Sequence, residues 1–135
     1  MILLARYSFL NLYLHESSTI RAMEAEWRGF VSSSFLRQAV TDAIGLARQH
    51  RITGWIADDR LLGPVRPADL DWISEHALPE LVRIGLKRFA RIEAEDPLNK
   101  LLISQLQHEV EETLPFQVRT FTDVQQARLW ASGAV

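Results

Sequence analysis

The sequence predicts a single-domain α/β protein. Its core is a mixed sheet with helices mainly on one face, in the order β-β-α-β-α-β-α-β-α. Two observations carry this. Short apolar runs with the two-residue period of strands alternate with longer stretches of helical periodicity, so the later strands run parallel through right-handed crossovers. Those later strands also carry charge on both faces. Lys87, Phe89 and Arg91 share one side, opposite Arg88, Ala90 and Ile92, and Gln117 and Arg119 interrupt the next strand. A sheet covered on both faces would place aliphatic residues there. One face is therefore expected to lack full helix cover.

The elements follow in order. "MILLARYSFLNLYLHE" reads as the first strand, with Leu10, Leu12 and Leu14 on one face and Phe9, Asn11 and Tyr13 on the other. It is no signal peptide by pattern, because Arg6 breaks the apolar run early and no small-residue cleavage site follows. It is also too short to span a bilayer. "HESS" makes a turn, and Thr19 to Trp27 pairs back as an antiparallel strand ended by Gly29.

Three serines then open a helix whose inner face is Leu36, Ala39, Val40, Ala43, Ile44 and Ala47. "ITGWIAD" is the next strand. "RPADLDWISEHALPELVRIG" is a helix, with Pro67 in its first turn, a break or kink expected at Pro79 and an end at Gly85. "KRFARIEAE" is a strand, followed by a helix with the stripe Leu98, Leu102, Leu106, Val110 and Leu114. "PFQVRTF" is the last strand. The last helix opens on Thr122 and Gln125, spaced as a capping box.

Composition narrows the function. A chain of 135 residues forms one domain, residues 1–135. A net charge of -2 gives no field to recruit nucleic acid. No cysteine is present, which removes disulfides, thiolate catalysis and cysteine-ligated zinc, and fits a cytoplasmic protein. No segment approaches a membrane span.

Several stretches together carry a family likeness. They are "Trp27-Arg-Gly29-Phe30", "Trp55-Ile-Ala-Asp58-Asp59-Arg60", "Pro67-Ala-Asp69-Leu70-Asp-Trp72", "Gly85-Leu-Lys87-Arg88-Phe-Ala90" and "Phe121-Thr-Asp123…Ala127…Trp130". From about Ser8 to Ala131 the chain resembles the small bacterial STAS/SEC14-like proteins, also described as anti-sigma-factor-antagonist-like or SpoIIAA-like. The resemblance implies a mixed sheet with helices packed largely on one side. Antagonists of that family also place a phosphorylatable Ser or Thr at the start of the helix after the middle strand. The matching segment here, "LLGPVRPADLDW", contains no hydroxyl, and Ser74 falls inside the helix. The phosphorylation switch is not expected. The SEC14-like side of the resemblance implies a lipid or other apolar ligand.

Candidate chemistry centres on Asp58, Asp59 and Arg60 at the end of the central strand, with Asp71 and Trp72 in the helix that follows. Ligands of parallel sheets sit at this end. Adjacent strand residues point to opposite faces, however, so Asp58 and Asp59 do not aim at one substrate. Arg60 is placed to pair with either acid. Neither His-x-x-x-His nor His-Glu-x-x-His occurs, and His108 with Glu112 is a lone i,i+4 pair. Gly-x-Ser-x-Gly and glycine-rich phosphate loops are absent. The basic cluster Arg83, Lys87, Arg88 and Arg91 is followed at once by Glu93, Glu95 and Asp96.

The leading expectation is a non-enzymatic interaction module without catalytic residues, metal or cofactor. Its expected partner is a protein, and one form of this is a homodimer through the less covered sheet face. Phe9, Tyr13, Phe89 and Phe121 are expected to supply apolar area there. The second expectation is a small-ligand or lipid-binding domain. The third is a Mg²⁺-dependent hydrolase or phosphotransferase using Asp58 and Asp59.

Overall fold

A computed structural model describes residues 1–17 and 20–134. Its elements are β1 (Ile2–Arg6), β2 (Leu10–Ser17), β3 (Ile20–Gly29), α1 (Ser33–Gln49), β4 (Gly54–Leu62) and α2 (Pro67–Trp72). A π-helical turn (Ile73–Ala77), α3 (Leu78–Arg83), β5 (Arg88–Ile92) and α4 (Pro97–Val110) follow. A 3-10 turn (Glu111–Thr113), β6 (Gln117–Phe121) and α5 (Val124–Ala131) complete the chain. Ser18 and Thr19, read as the hairpin turn and the start of the next strand, lie outside the described residues.

All six strands join one sheet in chain order. β1, β2 and β3 are antiparallel, and β3 to β6 are parallel. This is the expected mixed sheet with one more strand. The apolar N-terminus divides in two where the Tyr7 N–H bonds the Leu10 carbonyl at 2.7 Å. That turn contains neither Gly nor Pro, so the usual sequence punctuation is missing.

Register assigns the two faces. Met23, Trp55, Phe89 and Val118 form a row on one side, and Glu24, Ile56, Ala90 and Arg119 form the neighbouring row on the other. α1, α2, the π turn and α3 cover the first side. Ala39, Ala43 and Ala47 of α1 and Ala77 and Leu81 beyond α2 pack there on Met23, Ala25, Trp55 and Ala57. α4 lies over the same side, its Leu102, Ile103 and Leu106 against Leu36, Leu62 and Leu70. Among the described residues only α5 covers the second side, where Ala127, Trp130 and Ala131 meet Ala22, Ile56 and Ala90. Helices thus lie mainly on one face.

Of the aromatic residues expected on the thinly covered face, Tyr13 is there, beside Glu24. Phe121 shares that side but lies against Trp130 of α5. Phe9 and Phe89 face the helical layer instead. Phe9 precedes β2, outside its alternation, and stacks on Trp27 and Phe35. Phe89 stacks on Trp55 and Phe116.

Helix ends show local corrections. Ser32 caps α1 by accepting from the Phe35 N–H at 3.4 Å. The segment from Pro67 to Arg83 does not break at Pro79. The π turn absorbs the proline, with the Leu78 N–H reaching back to the Ile73 carbonyl. Asp96 caps α4 through the Asn99 N–H at 2.9 Å, and this sets the helix rotation so that Asn99 is fully buried while Leu98 is 50% exposed. The stripe expected to begin at Leu98 therefore runs through Asn99, Leu102, Ile103 and Leu106, and Leu114 lies beyond the helix. α5 is capped by Asp123, which accepts from the Gln125 N–H at 3.1 Å, one residue later than the capping box implied.

Candidate functional site

β4 is the central strand, and the five expected site residues separate around it. Asp58 lies on the α5 side of the sheet and Asp59 on the side of α1 and α4. Arg60 turns back to Asp58, donating from Nε at 2.9 Å and Nη2 at 2.8 Å. Asp71 is exposed. Trp72 is half-buried between His76 and the Arg37 guanidinium, which lies 5.7 Å from its ring centre. The sequence patch is thus three separate places. The acids do not converge, as strand geometry required.

Two polar centres emerge instead. The first is on the thinly covered face. Glu24, Glu26 and Asp58 bring carboxylate oxygens within 4.8 Å of one another, a spacing that suits a cation. Side-chain cations of the chain itself already surround them. Glu24 is fully buried, accepts from Arg128 Nε at 2.6 Å and Nη2 at 3.0 Å, and contacts His15 Nε2 at 2.9 Å. Burial pushes the Glu24 carboxyl up, but the bonds from His15 and Arg128 outweigh it and hold the group at about 2. Asp58 is matched by Arg60, and Glu26 accepts from Asn11 at 3.3 Å and Arg28 at 3.2 Å. The arrangement is a compensated ion network joining β2, β3, β4 and α5. Sequence reasoning misses Glu24. Its place between Met23 and Ala25 in the strand "IRAMEAEW" is the available signal.

The second centre is a cavity of about 170 Å³ between the sheet and its main helical layer. Trp55, Ala57 and Phe89 form its floor, α1 supplies Leu36 and Val40, and α4 supplies Ile103 and Leu106. Three polar residues reach this apolar chamber: Asp59, Arg91 and Gln107. Arg91 Nη1 donates to Gln107 Oε1, and Thr120 Oγ1 bonds the same oxygen at 3.4 Å. Burial lowers the Arg91 pKa, while Asp59, Glu93 and Glu111 act in the opposite direction. Burial raises Asp59 to about 6 despite the nearby Arg91 charge, with Asp58 adding to the rise.

The basic cluster read from the sequence is dispersed. Arg83 pairs with Glu80, Arg88 donates to the Trp130 carbonyl at 2.7 Å, and Arg91 enters the cavity. Asn99, also missed from sequence, pins α4 to the loop after β4. It donates to the Leu62 and Gly63 carbonyls at 3.1 and 2.7 Å and accepts from the Val65 N–H at 2.9 Å.

No known family model matches the chain, and no curated protein does. A solved structure does. It is an uncharacterised protein of the DUF3478 family with a SpoIIAA-like fold, from Shewanella loihica PV-4. The match covers 94% of this chain and 97% of that one, with a TM-score of 0.60 and 16% identity. The fold is SpoIIAA-like. At this identity the likeness concerns the fold. No helix among the described residues is long and apolar enough to cross a membrane.

Proposed function

We propose that this SpoIIAA-like chain is a non-catalytic binding protein that holds a small apolar ligand between its sheet and helical layer. The observation that carries the reading is the chamber of about 170 Å³, apolar except at Asp59, Arg91 and Gln107. Ligand sites combine concave apolar walls with a few converging polar groups. The ionic network on the other face has its charges matched by the chain's own side chains, so it offers a ligand less.

Toluene titration followed by NMR tests the proposal. Saturable shifts confined to Trp55, Ala57 and their neighbours are expected. Filling the chamber with Ala57→Leu or Ala77→Leu should remove them while the fold is retained. Shifts scattered over the surface, or none, would overturn the reading.

Protein interaction stands second. Ile2 and Leu3 on the edge strand β1 are 53% and 43% exposed. An exposed apolar edge favours pairing with another strand. A second copy, giving a homodimer, is the simplest occupant. Light scattering of the wild type and of Leu3→Lys distinguishes this. A wild-type monomer at high concentration would exclude it.

A further inference from the structure

The two charged side chains of the chamber restrict what its ligand carries. Arg91 is 5% exposed, and its Nε–H has no acceptor among the described residues. Asp59 is 8% exposed and receives no hydrogen bond among the described residues. They are opposite in charge and line one chamber, yet they close no ion pair with each other. A buried guanidinium is ordinarily satisfied on all its N–H groups, and a cavity that brings an incompletely bonded guanidinium together with an unbonded carboxyl group is complementary to a group that bonds both.

We propose that the ligand is a small monocarboxylic acid with an apolar body, its carboxyl group set between the Arg91 guanidinium and Asp59, with one proton shared by the two carboxyl groups. This rests on the ligand-binding reading above and names its substrate class. A carboxylate accepts from Arg91 while Asp59, protonated, donates to it. The charges then sum to zero: one guanidinium against two carboxyl groups holding one proton. An ammonium head would meet the Arg91 charge. A phosphate would add more negative charge than Arg91 balances. An alcohol would form both hydrogen bonds but would gain no charge-assisted bond of the same strength.

The environment of Asp59 supports this division of the proton. Burial already holds its carboxyl at about 6, so protonation costs little near neutrality. The charged groups around the pair are few. β4 contributes Asp58, turned to the opposite face and matched by Arg60. Glu93 on the β5 side and Glu111 after α4 act on Arg91. At the chamber α1 presents Leu36 and Val40, α2 presents Leu70, and α4 presents the uncharged Gln107. The volume sets the size. Cavities of about 150 Å³ hold one benzene, so the body is an aromatic ring or a short acyl chain rather than a two-chain lipid.

Calorimetric titration of the full chain between pH 5.5 and 8.5 tests the proposal. The probes are benzoate and hexanoate, with benzyl alcohol and 1-hexanol as neutral counterparts. Binding takes up one proton, so acid affinity should fall about tenfold per pH unit above pH 6. Buffers of different ionisation enthalpy should report that proton. Asp59→Asn should bind the acids without the pH slope. Arg91→Met should weaken the acids at least tenfold and the alcohols, which lose only an uncharged acceptor's bond, by clearly less, and the retained alcohol binding also shows that the variant folds. Alcohols binding as tightly as acids at pH 6, or acids binding without the slope, would overturn the head-group assignment while leaving an apolar ligand site intact. Failure of all four probes would overturn both.

Discussion

Asp58 and Asp59 are neighbours on β4 with opposite surroundings. The Asp58 carboxylate takes bonds at 2.9 and 2.8 Å from Arg60, whereas the Asp59 carboxyl faces a largely apolar chamber and accepts no side-chain hydrogen bond among the described residues. Strand alternation produces the difference, and two charge environments one residue apart follow from it.

The first prediction concerns the open acid. Asp59 is raised from 3.8 to about 6 by burial. A group raised on folding favours the fold fully below its unfolded value, and that contribution is lost as pH rises through its folded value. Asp59→Asn should therefore leave stability nearly unchanged at pH 3.5. At pH 8 it should raise stability on the order of 2 kcal/mol. Urea denaturation at the two values measures it. Equal effects at both would show that Asp59 titrates normally.

The second prediction concerns the buried acid of the ion network, with the opposite sign. Glu24 is lowered from 4.5 to about 2, because bonds from His15 and Arg128 outweigh its burial. Its contribution is present above about 4.5 and is lost as pH falls through about 2. It amounts to on the order of 3 kcal/mol. Arg128→Met should move acid unfolding to higher pH, and Glu24→Gln should flatten the stability profile between pH 4.5 and 2. Circular dichroism across that range would show either effect.

Much of this architecture is legible in the sequence, because periodicity reports which face each residue serves. The parallel order of β3 to β6, the unequal helix cover and the divergence of Asp58 from Asp59 all follow from it. Less legible are features created by partners distant in sequence. Glu24 and Arg128 meet only because α5 returns across β3, and their spacing in the chain carries no local signal. Arg91 is read beside Phe89 from the alternation, but as part of a basic run on a charged face, and only the placement of α1 and α4 over that side encloses it. The chamber is likewise a gap between layers rather than a pattern within any one of them. Conversely, the expected patch joined Asp71 and Trp72 to Asp59 by chain proximity, but neither lines the chamber that Asp59 faces.

The third prediction follows from Asn99, whose side chain satisfies three main-chain groups of the loop between β4 and α2. Asn99→Ala leaves two carbonyls and one N–H without it and should cost about 3 kcal/mol. Asn99→Asp should be no better, since an ionised carboxylate does not donate to Leu62 and Gly63. Hydrogen exchange should accelerate first in α4, whose other residues are less buried. Uniform acceleration across the sheet would argue that Asn99 does not hold α4 specifically.

The last prediction contrasts two glycines. A Cβ on Gly54 would stand 2.1 Å from the Ala131 carbonyl oxygen and 2.9 Å from its carbon. That backbone belongs to α5, the only helix on its face of the sheet among the described residues, and does not yield as a side-chain tip would. Gly54→Ala must lift α5 away from Ala22, Ile56 and Ala90, straining the bond from Arg88 to the Trp130 carbonyl. The expected cost is about 3 kcal/mol. Gly45 is exposed on α1, and a Cβ added there would have nothing within 4 Å. There the same substitution removes only backbone freedom, so Gly45→Ala should stabilise by about 0.5–1 kcal/mol. Thermal melting of both variants sets close approach against helix propensity, and a destabilised Gly45→Ala or a neutral Gly54→Ala would contradict the placement of α1 or α5.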